Sequence, residues 1–294
     1  MKVLITGSHG FVGTNLIEAL SGEHEIVRWD VRLDNALPPC DAVIHLAGLA
    51  HDTRHVTEQE WYFRVNTELT KKLYDRFLGS SARKFIFFSS IKAQDNDTPY
   101  AKSKSAAETA ILENEEFLDE LSDKAERRIK RQKEVYILRP CMIHGKGVKG
   151  NLPLLFNVVK KGWPWPLAAF ENQRSYASMG NVSFVVRQLL AQDVASGIYN
   201  LCDDEAVSTN ELVTLIGAGL GKKVPLWRVP EGIVNFGAKV GDVLHLPLNS
   251  ERLRKLTENR VVDNSKIKEA LGIECMPVRA LDGLKATIME MIKK

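Results

Sequence analysis

A tyrosine and a lysine stand four apart in the run Tyr100-Ala101-Lys102-Ser103-Lys104, and Ser90 lies ten residues upstream. At i and i+4 the two side chains share one helix face. There the Lys104 ammonium is expected to stabilise a Tyr100 phenolate and lower the pKa of the phenol. Lys102, two residues from Tyr100, falls on another face. Ser90 closes the apolar run Lys84-Phe85-Ile86-Phe87-Phe88-Ser89-Ser90, which reads as a buried strand delivering a hydroxyl at its C-terminal end. Ser89 points to the opposite side of that strand. A hydroxyl, a tunable phenol and a fixed cation form a proton-handling set for alcohol–ketone chemistry, so Ser90, Tyr100 and Lys104 are the candidate catalytic residues. Tyr-x-x-x-Lys pairs are also common on solvated helix faces, and the meaning of this one depends on the elements that position it.

The first of those elements is at the start of the chain. Lys2-Val3-Leu4-Ile5-Thr6 is too short for a helix and reads as a buried parallel strand. Gly7-Ser8-His9-Gly10-Phe11-Val12-Gly13 follows directly, and Phe11, Leu16 and Leu20 mark one side of an amphipathic helix. In this Gly-x-x-Gly-x-x-Gly spacing, Gly7 allows the tight turn, Gly10 lets backbone approach a pyrophosphate, and Gly13 permits close helix–strand packing. The helix N-terminus, at Phe11 and Val12, offers free N–H groups to an anion. A dinucleotide cofactor is the expected ligand. His24-Glu25-Ile26-Val27-Arg28-Trp29 is the next strand, and Asp30 at its end is placed to accept the ribose hydroxyls of NAD. Arg28 and Arg32 flank it, so NAD is expected and NADP stays open.

These pieces resemble the extended short-chain dehydrogenase/reductases, specifically the NAD-dependent epimerase/dehydratase family that acts on nucleotide sugars. The resemblance runs along most of the chain. Asp41-Ala42-Val43-Ile44-His45-Leu46-Ala47-Gly48 looks like the family strand whose end passes beneath the cofactor, which makes Leu46, Ala47 and Gly48 cofactor-binding positions. Val65-Asn66-Thr67 resembles the helix whose Asn braces the active-site backbone. Leu138-Arg139-Pro140 and the segment to Gly145 resemble the part that meets the nicotinamide, with His144 in place of the usual Tyr. The resemblance implies cofactor contacts by Asn66, Ser89, Tyr100, Lys104 and Pro140 as well as by the cradle. It implies substrate contacts by Ser90, by Asn151, and by Arg174 in Asn172-Gln173-Arg174-Ser175-Tyr176, a guanidinium suited to a diphosphate.

The alternation of strands and helices argues for an α/β fold with a doubly wound parallel sheet and a smaller mixed α/β substrate lobe. Helices are expected near 57–79, from Pro99 with Thr98 or Asp97 as cap, near 181–192 and over 209–220; strands are expected at 84–89, 134–138 and 197–201. Residues 1–145 are expected to form the cofactor domain, with returning segments at about 176–204 and 235–263; the remainder of 146–294 forms the substrate lobe. Trp163, Trp165 and Phe170 are candidates to stack on a base or cover a sugar, with core packing expected for at least one Trp.

Two departures from the family pattern stand out. Between Asp30 and Cys40 there is too little chain for another strand and helix, so the sheet edge is expected to be trimmed, and the family's adenine-contacting Asp is either missing or replaced by Asp34. The link from Ser90 to Tyr100 is short, so the segment that would cover the sugar is cut down. Glu113–Lys133 is a charged excess, read as a solvated helix and loop.

The 294 residues can bury a large core. A formal net charge of +3 points to neither nucleic acid nor membrane. No segment reaches the roughly 20 apolar residues that span a bilayer. Because the chain opens on a core strand, no signal peptide is expected, and the protein is expected to be cytoplasmic. Cys40, Cys141, Cys202 and Cys275 lack metal-ligand spacing and read as reduced core or near-core residues; no metal is expected. Three activities remain open: a UDP-hexose or UDP-N-acetylhexosamine 4-epimerase, an NAD(P)H-dependent 4-keto-sugar reductase, and a non-catalytic NAD(P)-binding sensor. The resemblance also implies a homodimer through the helix bearing Tyr100–Lys104 and its neighbour near 57–79.

Overall fold

The computed structural model describes residues 1–32, 36–50, 59–120, 133–244 and 249–293. Asp34 and most of the charged 113–133 stretch lie outside them. The chain divides into two compact units. Met1–Cys141, Val182–Leu201 and Asn264–Glu274 make the first; Met142–Asn181, Cys202–Asp263 and Cys275–Lys294 make the second.

The first unit is built on a six-stranded sheet in the order β2-β1-β3-β4-β5-β8, every pair parallel. Its strands are β1 Lys2–Thr6, β2 Glu25–Trp29, β3 Ala42–His45, β4 Lys84–Phe88, β5 Glu134–Pro140 and β8 Gly197–Leu201. A strand covered on both faces has no solvent side to alternate with, so it reads as an unbroken apolar run. Ala42–His45 and Lys84–Phe88 are such strands, buried at every position. β2 at the edge exposes Glu25 and Arg28, and among the described residues no strand lies outside it, as the short chain after Asp30 implies.

The helices of this unit are α1 Phe11–Leu20, α2 Gln59–Tyr62, α3 Leu69–Leu78, α4 Pro99–Glu120 and α10 Ser265–Leu271, with most of α6, Met179–Ala191. α1 buries Gly13, Leu16, Ile17 and Leu20. Between α2 and α3 the backbone widens into a π-helical run, Phe63–Glu68. Tyr74 and Phe77 of α3 pack on Phe85, with ring centroids 5.2 and 5.1 Å from it.

The second unit pairs two short parallel strands, β6 Met142–His144 and β7 Tyr176–Ser178. Around them lie α5 Asn151–Lys160, α7 Thr209–Gly219, α8 Glu231–Leu244, α9 Ser250–Thr257 and α11 Ala280–Ile292. Leu152, Phe156, Trp165, Leu212, Ile216 and Leu284 are among its core residues. The start of α7 is secured by a capping box, in which Ser208 and Glu211 each satisfy the other's backbone N–H. The assignment of 235–263 to the cofactor domain is corrected: those residues belong to the second unit, and the chain returns to the first at 264–274. The apolar face of α8 mimics a sheet-covering helix, but Val234 and Ala238 pack into the second unit's own core.

A buried polar knot ties this second unit together. Asp203, 1% exposed, accepts hydrogen bonds from Ser178 N at 2.9 Å, Ser178 Oγ at 3.0 Å and Asn181 Nδ2 at 2.6 Å. Asn181 in turn exchanges bonds with the Val278 backbone. His144 Nδ1 bonds Thr287 Oγ1 at 2.9 Å, and its Nε2 lies 3.4 Å from Asp203 Oδ2, too poorly aligned for a hydrogen bond. Removing the carboxylate would strand several buried donors, each costing about 1–3 kcal/mol. Asp203→Ala is therefore expected to lower stability by roughly 3 kcal/mol or more, read as an early loss of the second unit in urea denaturation.

Candidate active site

The candidate site lies at the C-terminal ends of the parallel strands, where α/β sheets bind ligands. Register aligns those ends: Thr6 pairs with His45, His45 with Phe87, and Phe88 with Leu138. Gly7, Ala47, Ser89 and Arg139 thus come just beyond, or at the end of, adjacent strands.

At β1, Gly7 has φ +66° and lies so near β3 that a Cβ would meet Ala47 N at 2.7 Å. A Cβ on Gly13 would meet Gly7 O at 2.4 Å, and one on Gly10 would meet it at 3.2 Å. No side chain caps α1 at Gly10, which leaves the dipoles of that helix turn, at Phe11 and Val12, to an anion. A tight turn, an uncapped helix start and a backbone stripped of Cβ atoms together fit the pyrophosphate of a dinucleotide.

Beside the cradle runs a chain of buried hydrogen bonds. His45, fully buried, bonds Thr6 Oγ1 through Nδ1 at 2.7 Å and Thr70 Oγ1 through Nε2 at 2.9 Å. Burial, reinforced by the Lys104 charge, draws its pKa down to about 3, so the ring is neutral. Thr6 Oγ1 accepts from Leu46 N and Ala47 N at 3.2 Å each, and Thr70 Oγ1 donates to Asn66 O. Asn66 sits in the π-helical run, a backbone distortion frequent at functional sites. Its side chain accepts from Leu49 N at 2.7 Å and donates to Leu49 O and Ser103 Oγ. Thr6, His45, Thr70 and Asn66 therefore hold the Leu46–Leu49 turn against the helix that bears Tyr100. A Cβ on Gly48 would come 3.0 Å from Asn66 Oδ1 and 3.3 Å from Lys104 Nζ, so the turn passes closely over the lysine.

The short link from Ser90 to Tyr100 is accommodated by a 3-10 turn, Ile91–Gln94, and by Asn96 in the left-handed region at φ 55°. Ser90 Oγ accepts from Lys92 N at 3.3 Å, and Thr98 Oγ1 caps α4 by accepting from Ala101 N at 3.1 Å. Ser90 and Tyr100 are brought close enough for the Ser90 side chain to act on the Tyr100 phenol, drawing its pKa down against burial. Tyr62 crosses the Tyr100 ring edge-on, centroids 6.3 Å apart.

Lys104 is corrected in one respect. Its Nζ donates to Phe88 O at 2.8 Å and lies 4.8 Å from the Phe87 ring centroid, turned to the strand ends rather than aimed at the phenol. The Tyr100 pKa is raised, not lowered: burial dominates, the Ser90 hydroxyl opposes it, and Tyr62 adds to it. Lys104 itself is drawn down to about 8 by burial, against which Glu108 acts.

Other expected residues differ in what they face. Asp30 is clamped by Arg32, whose Nε donates to Oδ1 at 2.9 Å and Nη2 to Oδ2 at 2.6 Å, holding the carboxyl at a pKa of about 2. The Ser89 hydroxyl faces away from Ser90 as expected, but it is committed to Glu108 and not turned to a cofactor. Pro140 ends β5. Asn151 and Arg174 lie in the second unit: Asn151 is exposed at the start of α5, whereas the Arg174 guanidinium is held by Lys255 O and stands 3.8 Å from Glu258. Trp165 is core, with Nε1 bonded to Asn210 Oδ1 at 3.0 Å; Trp163 is exposed beneath Lys161. Cys40, Cys141 and Cys202 are buried, and Cys275 is exposed, contrary to a core role for all four. Among the described residues no His, Cys, Asp and Glu cluster could hold a metal, and no helix is long and apolar enough to cross a membrane. Glu108 and Thr70 carried no motif signal, and the roles of His45 and Arg139 within their own runs were not visible, since the bonding partners of all four lie far away in sequence.

Known proteins share both the sequence and the fold. Over 99% of this chain and 96% of the other, it is 30% identical to a UDP-glucose 4-epimerase of Vibrio cholerae. It is 27% identical to an N-acetyl-α-D-glucosaminyl-diphospho-ditrans,octacis-undecaprenol 4-epimerase of Escherichia coli O157:H7, over 90% of this chain and 88% of that one. The crystal structure of a UDP-glucuronic acid 4-epimerase from Bacillus cereus in complex with NAD superposes with a TM-score of 0.72 at 16% identity, covering 100% and 99% of the two chains. Residues 3–202, the span that holds the glycine cradle and the Ser90, Tyr100 and Lys104 set, match the NAD dependent epimerase/dehydratase family, and the chain belongs to that family.

Proposed function

We propose that this enzyme is an NAD-dependent nucleotide-sugar 4-epimerase acting on a UDP-hexose or UDP-N-acetylhexosamine. One observation carries the reading: the Ser90 side chain and the Tyr100 phenol come together at the strand ends beside a Cβ-free dinucleotide cradle, with the Lys104 ammonium beneath the turn at Gly48. The similarity to two 4-epimerases supports it.

In this reading Gly7, Gly10, Phe11, Val12 and Gly13 would hold NAD with Asp30 at the ribose, and the cofactor would supply a reversible hydride acceptor. Tyr100 Oη removes the proton from the sugar 4-hydroxyl and later gives it back. Ser90 Oγ hydrogen-bonds the same oxygen and orients it. Lys104, whose ammonium lies beneath the turn at Gly48 and not against the phenol, is assigned to the nicotinamide ribose. Asn66 fixes that turn and, through Ser103, the helix that carries Tyr100. Asn151 and Arg174 are assigned to the substrate. For Arg174 this requires the guanidinium to leave Lys255 O and Glu258 for the diphosphate.

The test is turnover of a substrate panel by purified protein: UDP-glucose, UDP-N-acetylglucosamine, their 4-keto forms, and N-acetylglucosaminyl diphosphate on a polyprenol, the class named in the Escherichia coli relative. Equilibration of a 4-epimer pair without net consumption of NAD is expected. Reduction of a 4-keto sugar with stoichiometric loss of NAD(P)H would replace the reading by a reductase. Turnover of the lipid-linked sugar alone would move the substrate off UDP, and no turnover of any member would overturn the proposal.

A further inference from the structure

Glu108 is a buried carboxylate that the proposed mechanism leaves unused. It lies one turn beyond Lys104 on α4 and is 2% exposed. The Ser89 hydroxyl donates to it, and Arg139 Nε donates at 3.0 and 3.1 Å to its two oxygens, with Arg139 Nη2 adding a further bond. Ser89 immediately precedes Ser90, and Arg139 immediately precedes Pro140. One carboxylate therefore joins the catalytic helix to the ends of β4 and β5. A carboxylate buried this deeply is costly unless paired and hydrogen-bonded, and Arg139 supplies the pairing.

We propose that Glu108 is a positioning residue that locks the strand ends bearing Ser90 and Pro140 to α4 and keeps the Lys104 ammonium charged. The proposal rests on the epimerase reading only in that Lys104 serves turnover. Among the described residues, the other groups around Lys104 do not supply a negative charge. His45 of β3 is neutral, β4 offers the Phe87 ring and the Phe88 carbonyl, the π-helical run offers the Asn66 amide, and Tyr100 and Tyr62 are phenols. Arg139 of β5 is a cation bound to Glu108 itself. Burial pulls Lys104 toward neutrality, and Glu108 is the group that opposes this.

Glu108→Gln keeps the shape and the Ser89 acceptor but removes the charge. With ε-13C-lysine-labelled protein, and the Lys104 resonance identified by its loss in Lys104→Arg, the variant is expected to titrate about one pH unit or more below wild type. Its turnover should lie within about threefold of wild type at pH 6 and fall about eightfold or more behind at pH 8.5, because the deficit grows as Lys104, near 8 in wild type, loses its proton. A merely structural role would give a deficit of constant size at every pH. Ser89→Ala, which removes a bond and no charge, should show that constant, smaller deficit.

Because an orphaned Arg139 could unfold the single variant, Glu108→Gln is also combined with Arg139→Met. The double variant is expected to regain stability and still titrate Lys104 below wild type. Lys104 titrating at its wild-type position in both variants overturns the proposal. An inactive wild-type protein would overturn the epimerase reading, and the lysine titration would then decide this inference alone.

Discussion

Tyr100→Phe is expected to reduce turnover by about 100- to 10,000-fold, the usual contribution of a positioned acid–base group, while NAD affinity stays within a few fold of wild type. The substitution removes one oxygen. The ring remains, with its edge-on contact to Tyr62, and so does the helix cap from Thr98 that places it. What disappears is the hydroxyl that meets Ser90. Ser90→Ala should fall in the lower part of the same range, since it leaves the base and removes the group that orients it. Lys102→Met should be near wild type, because Lys102 is exposed and shares no face with Tyr100. Near-normal turnover of Tyr100→Phe with NAD bound would remove Tyr100 from the chemistry. The raised pKa of Tyr100 adds a condition on pH: without ligand the buried phenol is protonated at neutral pH, so the wild-type rate should rise with pH on the acid side, read from kcat/KM.

Much of this site could be read along the chain because its chemistry depends on local spacing. The three glycines, the i and i+4 pair and the uninterrupted run at 84–88 each encode their geometry within a few residues, and each element formed where expected. Spacing places a side chain on a face but does not say where a long chain ends. The Lys104 stem could have carried its ammonium to Tyr100; a free carbonyl at Phe88 and the Phe87 ring captured it instead. Asp30 shows the same limit: Arg32 was visible as a neighbour, but its two-pronged clamp was not. Glu108 and His45 were not legible at all, because their bonding partners come from strands far apart in sequence and meet only in the sheet. The return of the chain at 264–274 was misplaced because a helix with an apolar face, such as Glu231–Leu244, does not reveal which core it will cover.

The glycine cradle allows folding and cofactor binding to be separated by position. At Gly7 an added Cβ would meet Ala47 N at 2.7 Å and would have to sit at φ +66°. Holding a non-glycine residue in that region costs about 1 kcal/mol or more before any clash. At Gly13 the Cβ would strike Gly7 O at 2.4 Å and Ser8 Cα at 2.9 Å, all backbone, so α1 would have to move off β1. Gly7→Ala and Gly13→Ala are therefore expected to destabilise the first unit by several kcal/mol, with NAD binding lost as a consequence. Gly10 is different. Its φ is −74°, ordinary for any residue, and a Cβ would meet only Gly7 O at 3.2 Å, which a small shift relieves. Gly10→Ala should melt within a few degrees of wild type. Its methyl group would nevertheless occupy the approach to the uncapped helix start, so NAD affinity should fall by about 100-fold or more, measured by calorimetric titration. If Gly10→Ala binds NAD as tightly as wild type, the pyrophosphate does not lie at the start of α1, and the cradle is only a tight turn between strand and helix.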